Sequence, residues 1–185
     1  MLALVKLLAT MWDDDGTVAV DGLAIRDAVT PEYTEETLRA ETGLLDGVSP
    51  IGTGAIIGRI WNKPAITVTG IDFTDVASAS NTLSKSVTAK ISARVAPGQP
   101  AGEAFAAIEA HLRSHVPFGA HLVIDDVDTG DAFLVDTDGW GVELARTAMH
   151  DGYGVAPVDM GVGGSIPFIS DLVREFPAAQ ILVTG

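Results

Sequence analysis

Residues 86–96, SVTAKISARVA, alternate without a break: Val87, Ala89, Ile91, Ala93 and Val95 are apolar, while Ser86, Thr88, Lys90, Ser92 and Arg94 are polar. A period of two puts the two sets on opposite faces of a strand. The chain is thereby committed to a sheet with one face covered and the other wet, which is the antiparallel kind.

The neighbouring segments define what covers that face. KPAITVTGI, residues 63–71, is rich in β-branched residues and reads as a strand starting at Pro64, where a missing amide proton does least harm. PGQP turns the chain after the patterned strand, AGEAFAAIEAHLRSHV (101–116) has helical amphipathic spacing, and GAHLVIDDV (119–127) reads as a further strand. At the front, Leu4, Leu7, Leu8 and Met11 recur at helical spacing between Leu2 and Trp12, and DDDG closes that helix in a turn. Thr30, Pro31 and Glu32 predict a second helix start, with its end at Gly43, and residues 44–62 read as a glycine-rich loop. Helix, strand, strand, helix, strand is a ferredoxin-like βαββαβ layer lacking its first strand. The expectation is a chain that begins after that strand.

Beyond Asp136 the pattern changes. Helix 140–150, strand 155–160, a glycine loop, helix 166–176 and strand 180–183 alternate as in a parallel α/β layer. Two strands cannot form a stable parallel sheet alone, so this part reads as a slice of a larger domain. The expected fold class is therefore α/β, with a ferredoxin-like α+β part (1–127) followed by a fragment of a parallel α/β layer (128–185).

Composition narrows the function classes. A net charge of −14 over 185 residues repels both nucleic acid and anionic membranes. With no cysteine there is no disulfide framework and no thiolate metal site, and the expected location is cytoplasmic. The apolar opening MLALVKLLATMW lacks a basic flank and a small-residue cleavage site, and it is too short to cross a bilayer.

Several constellations invite chemistry. His111 and His115 stand four apart, as in HExxH, but position 112 is leucine, so the glutamate of that motif is missing. His121 and His150 have no spaced ligand partners. DDDG (13–16) and DDVDTGD (125–131) lack the spacing and terminal glutamate of an EF-hand and suit turns. MGVGGSIP follows a strand and opens a helix, yet Gly164 stands where a phosphate loop needs lysine, and Ile166 where the dinucleotide fingerprint needs its third glycine. What remains is a set of backbone amides at a helix start, with Ser165 as cap, suited to an anion such as a carboxylate. A tight corner with a capped helix accounts for the same residues. Arg94 shares the polar strand face with Lys90 and Thr88, and its guanidinium can grip a carboxylate through two hydrogen bonds; a solvated sheet face is the other reading.

MWDDDGTVAVDGL, GRIWNKPAITVTGI, SNTLSKSVTAKISARVAPGQ and GVGGSIPFISDLVREFPAAQILVTG, taken in order, resemble the cocatalytic zinc peptidases of metallopeptidase family twenty, nearest its dipeptidase branch, which includes the carnosinases. The resemblance implies a catalytic α/β domain with two zinc ions, interrupted by a ferredoxin-like lid that makes a homodimer, and it makes residues 1–127 the lid domain and 128–185 a partial catalytic domain. It implies hydrolysis of a dipeptide or related amide by a zinc-activated water, with a glutamate moving the proton. The zinc ligands, that glutamate and a lid histidine would lie before Met1, and one further ligand beyond Gly185. This chain would then carry no catalytic residue and no metal ligand, and would be inactive alone. By position, the resemblance assigns Asn81 to reaching the partner subunit's active site. Arg94 is assigned to the substrate's terminal carboxylate, and Gly163, Gly164 and Ser165 to the loop that also holds it. The family often has proline where Ser84 or Lys85 stands, and the histidine of some carnosinases has no match near Gly130. The implied partners are a second copy and a small peptide with a free carboxylate. The competing reading is a freestanding ferredoxin-like regulatory module that binds a small carboxylate ligand.

Overall fold

The computed structural model describes residues 1–26, 30–131, 138–161 and 167–184. Its centre is the antiparallel pair β1 (Ala65–Asp72) and β2 (Thr88–Arg94), with Ala65 opposite Arg94 and Asp72 opposite Thr88. The register slips between Val68 and Gly70, leaving Thr69 as an extra residue in β1 whose hydroxyl donates to the Lys90 carbonyl. β2 falls within the period-two segment, and β1 where the β-branched run after Pro64 places it.

Two helices cover one face of the hairpin. Helix α1 (Leu2–Ala9) contributes Leu7, α4 (Ala101–Ser114) contributes Ile108 and Leu112, and β1 contributes Ile66. Met11 and Val20 complete this buried cluster, with Ile91, Leu122 and Ile124 packed against it. Helices on one side of a sheet make the α+β layer expected from sequence.

Helix α1 stops three residues short of the expected Trp12. Its competitor is the acidic turn, where Asp13 and Asp15 carboxylates both accept from the Thr17 amide, and Asp15 also accepts from the Thr17 hydroxyl. The chain doubles back there, so that Trp12 bridges Val18 and the Ala19 amide donates to the Met11 carbonyl. The second helix, α2 (Glu35–Thr42), starts at Thr34 rather than Thr30. Thr34 is the better cap because its hydroxyl accepts from the Thr37 amide, and Glu35 and Glu36 then fall in the first turn. It ends where expected, at a left-handed Gly43.

Within the expected loop lies a short helix, α3 (Ile56–Trp61). Cations hold it against the preceding loop: the Arg59 guanidinium donates to the Gly54 and Ile51 carbonyls, and the Lys63 ammonium to the Thr53 carbonyl. A second long-range tie is Gln99, which is buried. Its amide nitrogen donates to the Gly22 carbonyl at 2.8 Å, and its oxygen accepts from the Ala24 amide at 2.9 Å.

The expected strand at 119–127 is not laddered. Its side chains still alternate, with Leu122 and Ile124 turned inward and His121 and Val123 exposed. The segment keeps strand patterning, but among the described residues no strand pairs with it, and Asp126, in the left-handed region at φ 51°, bends it.

Helices α5 (Trp140–Tyr153) and α6 (Pro167–Glu175) appear as expected in the second part, α5 running three residues further to a left-handed Gly154. Residues 155–160 and 180–183 form no strand. Parallel strands need flanking strands on which to pair, and these segments have none among the described residues.

Candidate functional site

The sequence candidates fall at two ends of one hairpin. Arg94 is the last residue of β2, opposite Ala65, the first residue of β1. It is exposed and already has an interaction partner. Asn81 lies in the long connection between the strands and is also exposed. From Thr88 to Arg94 the strand spans roughly 20 Å at its usual rise per residue, so the ladder separates Arg94 from the end of the hairpin that carries the connection.

That connection has local order of its own. Asp75 accepts from the Ser78 amide, and this bond, with a further contribution from the Ser78 side chain, holds its carboxyl below the usual range. The Ser84 hydroxyl donates to the Ser86 carbonyl. Its apolar members stand almost fully in solvent: Val76 is 94% exposed and Leu83 93%. Side chains of that kind at the tip of a hairpin are suited to contact with another surface.

At the Arg94 end, two distant parts of the chain meet one short stretch. Trp61 ends α3, Asn62 is its C-cap, and Lys63 and Pro64 lead into Ala65, the residue paired with Arg94. Gly161, at the threshold of the glycine loop, lies against this same stretch: a Cβ placed on it would sit 2.8 Å from both Cβ and Cγ of Trp61. The fold thus carries the chain entering the glycine loop and the end of β2 bearing Arg94 to opposite ends of residues 61–65. Gly163, Gly164 and Ser165 themselves lie outside the described residues.

Sequence reasoning missed Trp61. It stands in the segment GRIWNKPAITVTGI, but nothing in its local pattern marks it, since its role depends on a residue far along the chain. Asn62 was missed too. It is buried, and its Nδ2 has no hydrogen-bond partner among the described residues.

The histidines do not make a metal centre. The rings of His111 and His115 stack with centroids 4.1 Å apart and planes 22° from parallel. His111 Nε2 is 3.0 Å from the Thr10 hydroxyl, and His115 Nδ1 is 2.8 Å from the His111 carbonyl. Burial, with the His115 charge adding to it, lowers the His111 pKa, partly opposed by Thr10 and Asp21. Among the described residues no three His, Asp or Glu side chains converge as a metal site would need. The zinc pair implied by resemblance does not fit the donors described here. No helix among these residues is long and apolar enough to cross a membrane.

Comparison with known proteins gives a consistent picture. Residues 1–120 match the peptidase dimerisation domain of M20 peptidases. The chain is 29% identical over 187 residues to a cysteinylglycine-S-conjugate dipeptidase of Corynebacterium striatum, covering 99% of this chain and 41% of that protein. Among solved structures it is similar to the dipeptidase Dug1p of Saccharomyces cerevisiae, with a TM-score of 0.72 at 20% identity, covering 99% of this chain and 41% of that one. Human carnosine dipeptidase 1 matches with a TM-score of 0.60 at 21% identity, covering 94% of this chain and 40% of that one. At these identities the structures bear on the fold alone. The chain spans about two fifths of the length of each of these three proteins.

Proposed function

The chain belongs to the M20 peptidase family through its dimerisation domain, and from that membership we propose that it supplies the dimerisation lid and the substrate-carboxylate site of a zinc-dependent dipeptidase. On this reading residues 1–127 form the lid, 128–185 are part of the catalytic domain, and the working enzyme is a homodimer. The two zinc ions would be held by segments other than this one, as the family resemblance implies. No step of bond cleavage is assigned to this chain.

Its work is positioning. A dipeptide carries a free carboxylate one residue from the scissile bond, so fixing that carboxylate fixes the bond, and the entropy of alignment is lost before reaction rather than during it. Arg94 would bind it in bidentate fashion. The amides of Gly163 and Gly164 and the hydroxyl of Ser165 would complete the shell from the other side. Asn81, on the exposed connection, would act in the partner subunit's site.

The observation that carries the reading is the shared corner: Arg94 pairs with Ala65 while Gly161 abuts Trp61, four residues earlier in the same segment. The full-length, zinc-loaded protein tests it on a dipeptide and on the same dipeptide amidated at its C-terminus. Losing hydrogen bonds to a charged carboxylate costs about 1.5–3 kcal/mol, so the amide should react with kcat/KM about 10- to 150-fold lower. Equal rates on the two substrates would contradict the proposal.

A further inference from the structure

Between the acidic turn, the loop ahead of α3 and the first residues of β1 lies a cleft of about 160 Å³. Trp12 and Val18, paired by a single β-bridge, wall one side, and Ile51 and Ile25 stand at it with 71% and 58% of their surface still in solvent. Exposed apolar side chains gathered round a concavity are a mark of ligand grooves. Two cations line the same cleft, Arg59 and Lys63, both half-buried. The sequence carries 25 acidic residues against 11 lysines and arginines, yet no Asp or Glu is among the described residues that line it. Arg59 donates to the Gly54 and Ile51 carbonyls and Lys63 to the Thr53 carbonyl. Neutral carbonyls orient these two groups without cancelling their charge, and each group has more N–H donors than these bonds use. Asp15, whose charge acts on Arg59, does not line the cleft, and its Oδ1 is occupied by the Thr17 amide and hydroxyl.

We propose that this cleft binds a small carboxylate bearing one ring or one branched aliphatic group. The volume sets the apolar part, since a cavity of about 150 Å³ holds one benzene ring. Trp12 and the aliphatic wall supply its contacts. The planar fork of Arg59 and the ammonium of Lys63 supply charge-assisted hydrogen bonds to the carboxylate. Two like charges on apolar walls also concentrate an anion there, against the negative field of the chain as a whole. A neutral ligand of the same shape gains only the apolar half of this. The site goes beyond the dipeptide reading and makes no use of Arg94, which is not among the residues that line the cleft.

The test titrates the full-length, zinc-loaded protein with benzoate and follows the indole N–H resonance of Trp12, assigned with Trp12→Phe. Benzoate should shift that resonance saturably, with a Kd of about 1 mM or tighter. Benzamide, the same shape without the charge, should bind about tenfold more weakly or worse. Lys63→Gln removes a charge and keeps a donor, and Ile25→Glu sets a carboxylate at the mouth on a side chain that is already exposed. Each should weaken benzoate about tenfold or more, while Arg94→Ala should leave its affinity unchanged. A titration that does not saturate, equal binding of benzamide, or parental affinity in either cleft variant overturns the proposal. Benzoate held by the zinc ions would survive both cleft substitutions, and benzoate held at the substrate-carboxylate site would be lost in Arg94→Ala; either result overturns it as well. The titration needs no turnover, so its outcome is separate from that of the dipeptidase reading.

Discussion

Two buried amide side chains should respond in opposite directions to the same substitution. Gln99 is fully engaged, bonded at 2.8 Å and 2.9 Å to the backbone of residues 22 and 24. Gln99→Leu keeps the volume roughly constant but deletes both bonds and leaves the Gly22 carbonyl and the Ala24 amide to find water. At about 0.5–1.5 kcal/mol net for each bond, the loss is about 1–3 kcal/mol, the upper part of the range applying if water cannot reach both groups. Asn62 is similarly buried, yet its Nδ2 has no partner among the described residues. Asn62→Leu removes a desolvated donor that none of these residues satisfies, and replacing such a group by an apolar one is near neutral or stabilising. For a chain of this length, 1 kcal/mol moves the melting temperature by about 2–4 °C. Gln99→Leu should therefore melt about 2–12 °C lower, and Asn62→Leu at or above the parent. Calorimetry and urea unfolding of the three proteins, with the slope m checked for constancy, make the comparison. Equal destabilisation by both substitutions would refute the assignment of one amide as satisfied and the other as orphaned.

His111 and the subunit arrangement give further expectations. Burial and the stacked His115 hold the His111 pKa below its ordinary 6.5. The folded state therefore binds fewer protons than the unfolded one as this group titrates, so stability is in place above pH 6.5 and is lost as pH falls through the lower folded value. The groups acting on it are His115, Thr10 and Asp21; the melting temperature of His111→Gln should depend less on pH between 7.5 and 5 than that of the parent, and equal slopes would remove His111 from the effect. Asn81 and Arg94 should complement across subunits: a mixed dimer of Asn81→Ala and Arg94→Ala chains contains one intact site, and should be active where each homodimer is impaired. Mixed dimers no better than the homodimers would mean that Asn81 serves its own subunit.

How much was legible in the sequence follows the range of the interactions. The patterned strand, the segment after Pro64 and helix α4 were readable because alternation and amphipathic spacing are local. Helix α3 was not, because it is six residues long and held by Arg59 and Lys63 reaching carbonyls of the preceding loop. Residues 119–127 alternate as a strand would but form none, because a ladder belongs to a pair of strands and cannot be read from one. The same holds for 155–160 and 180–183. At the site, Arg94 was visible as a cation on a polar strand face, and family resemblance supplied Asn81 and Gly163–Ser165. The meeting of Trp61 with Gly161 was invisible, since it joins segments far apart in the chain through a shape that neither segment records alone.

Arg94 carries the central claim, and kinetics of the full-length, zinc-loaded enzyme test it most directly. Arg94→Ala should raise KM for a free-carboxylate dipeptide by about 10- to 150-fold, while activity on the C-terminal amide hardly changes. Arg94→Lys, keeping the charge but not the planar fork, should restore only part of the difference. An Arg94→Ala enzyme that still prefers the free carboxylate as strongly as the parent would contradict the account.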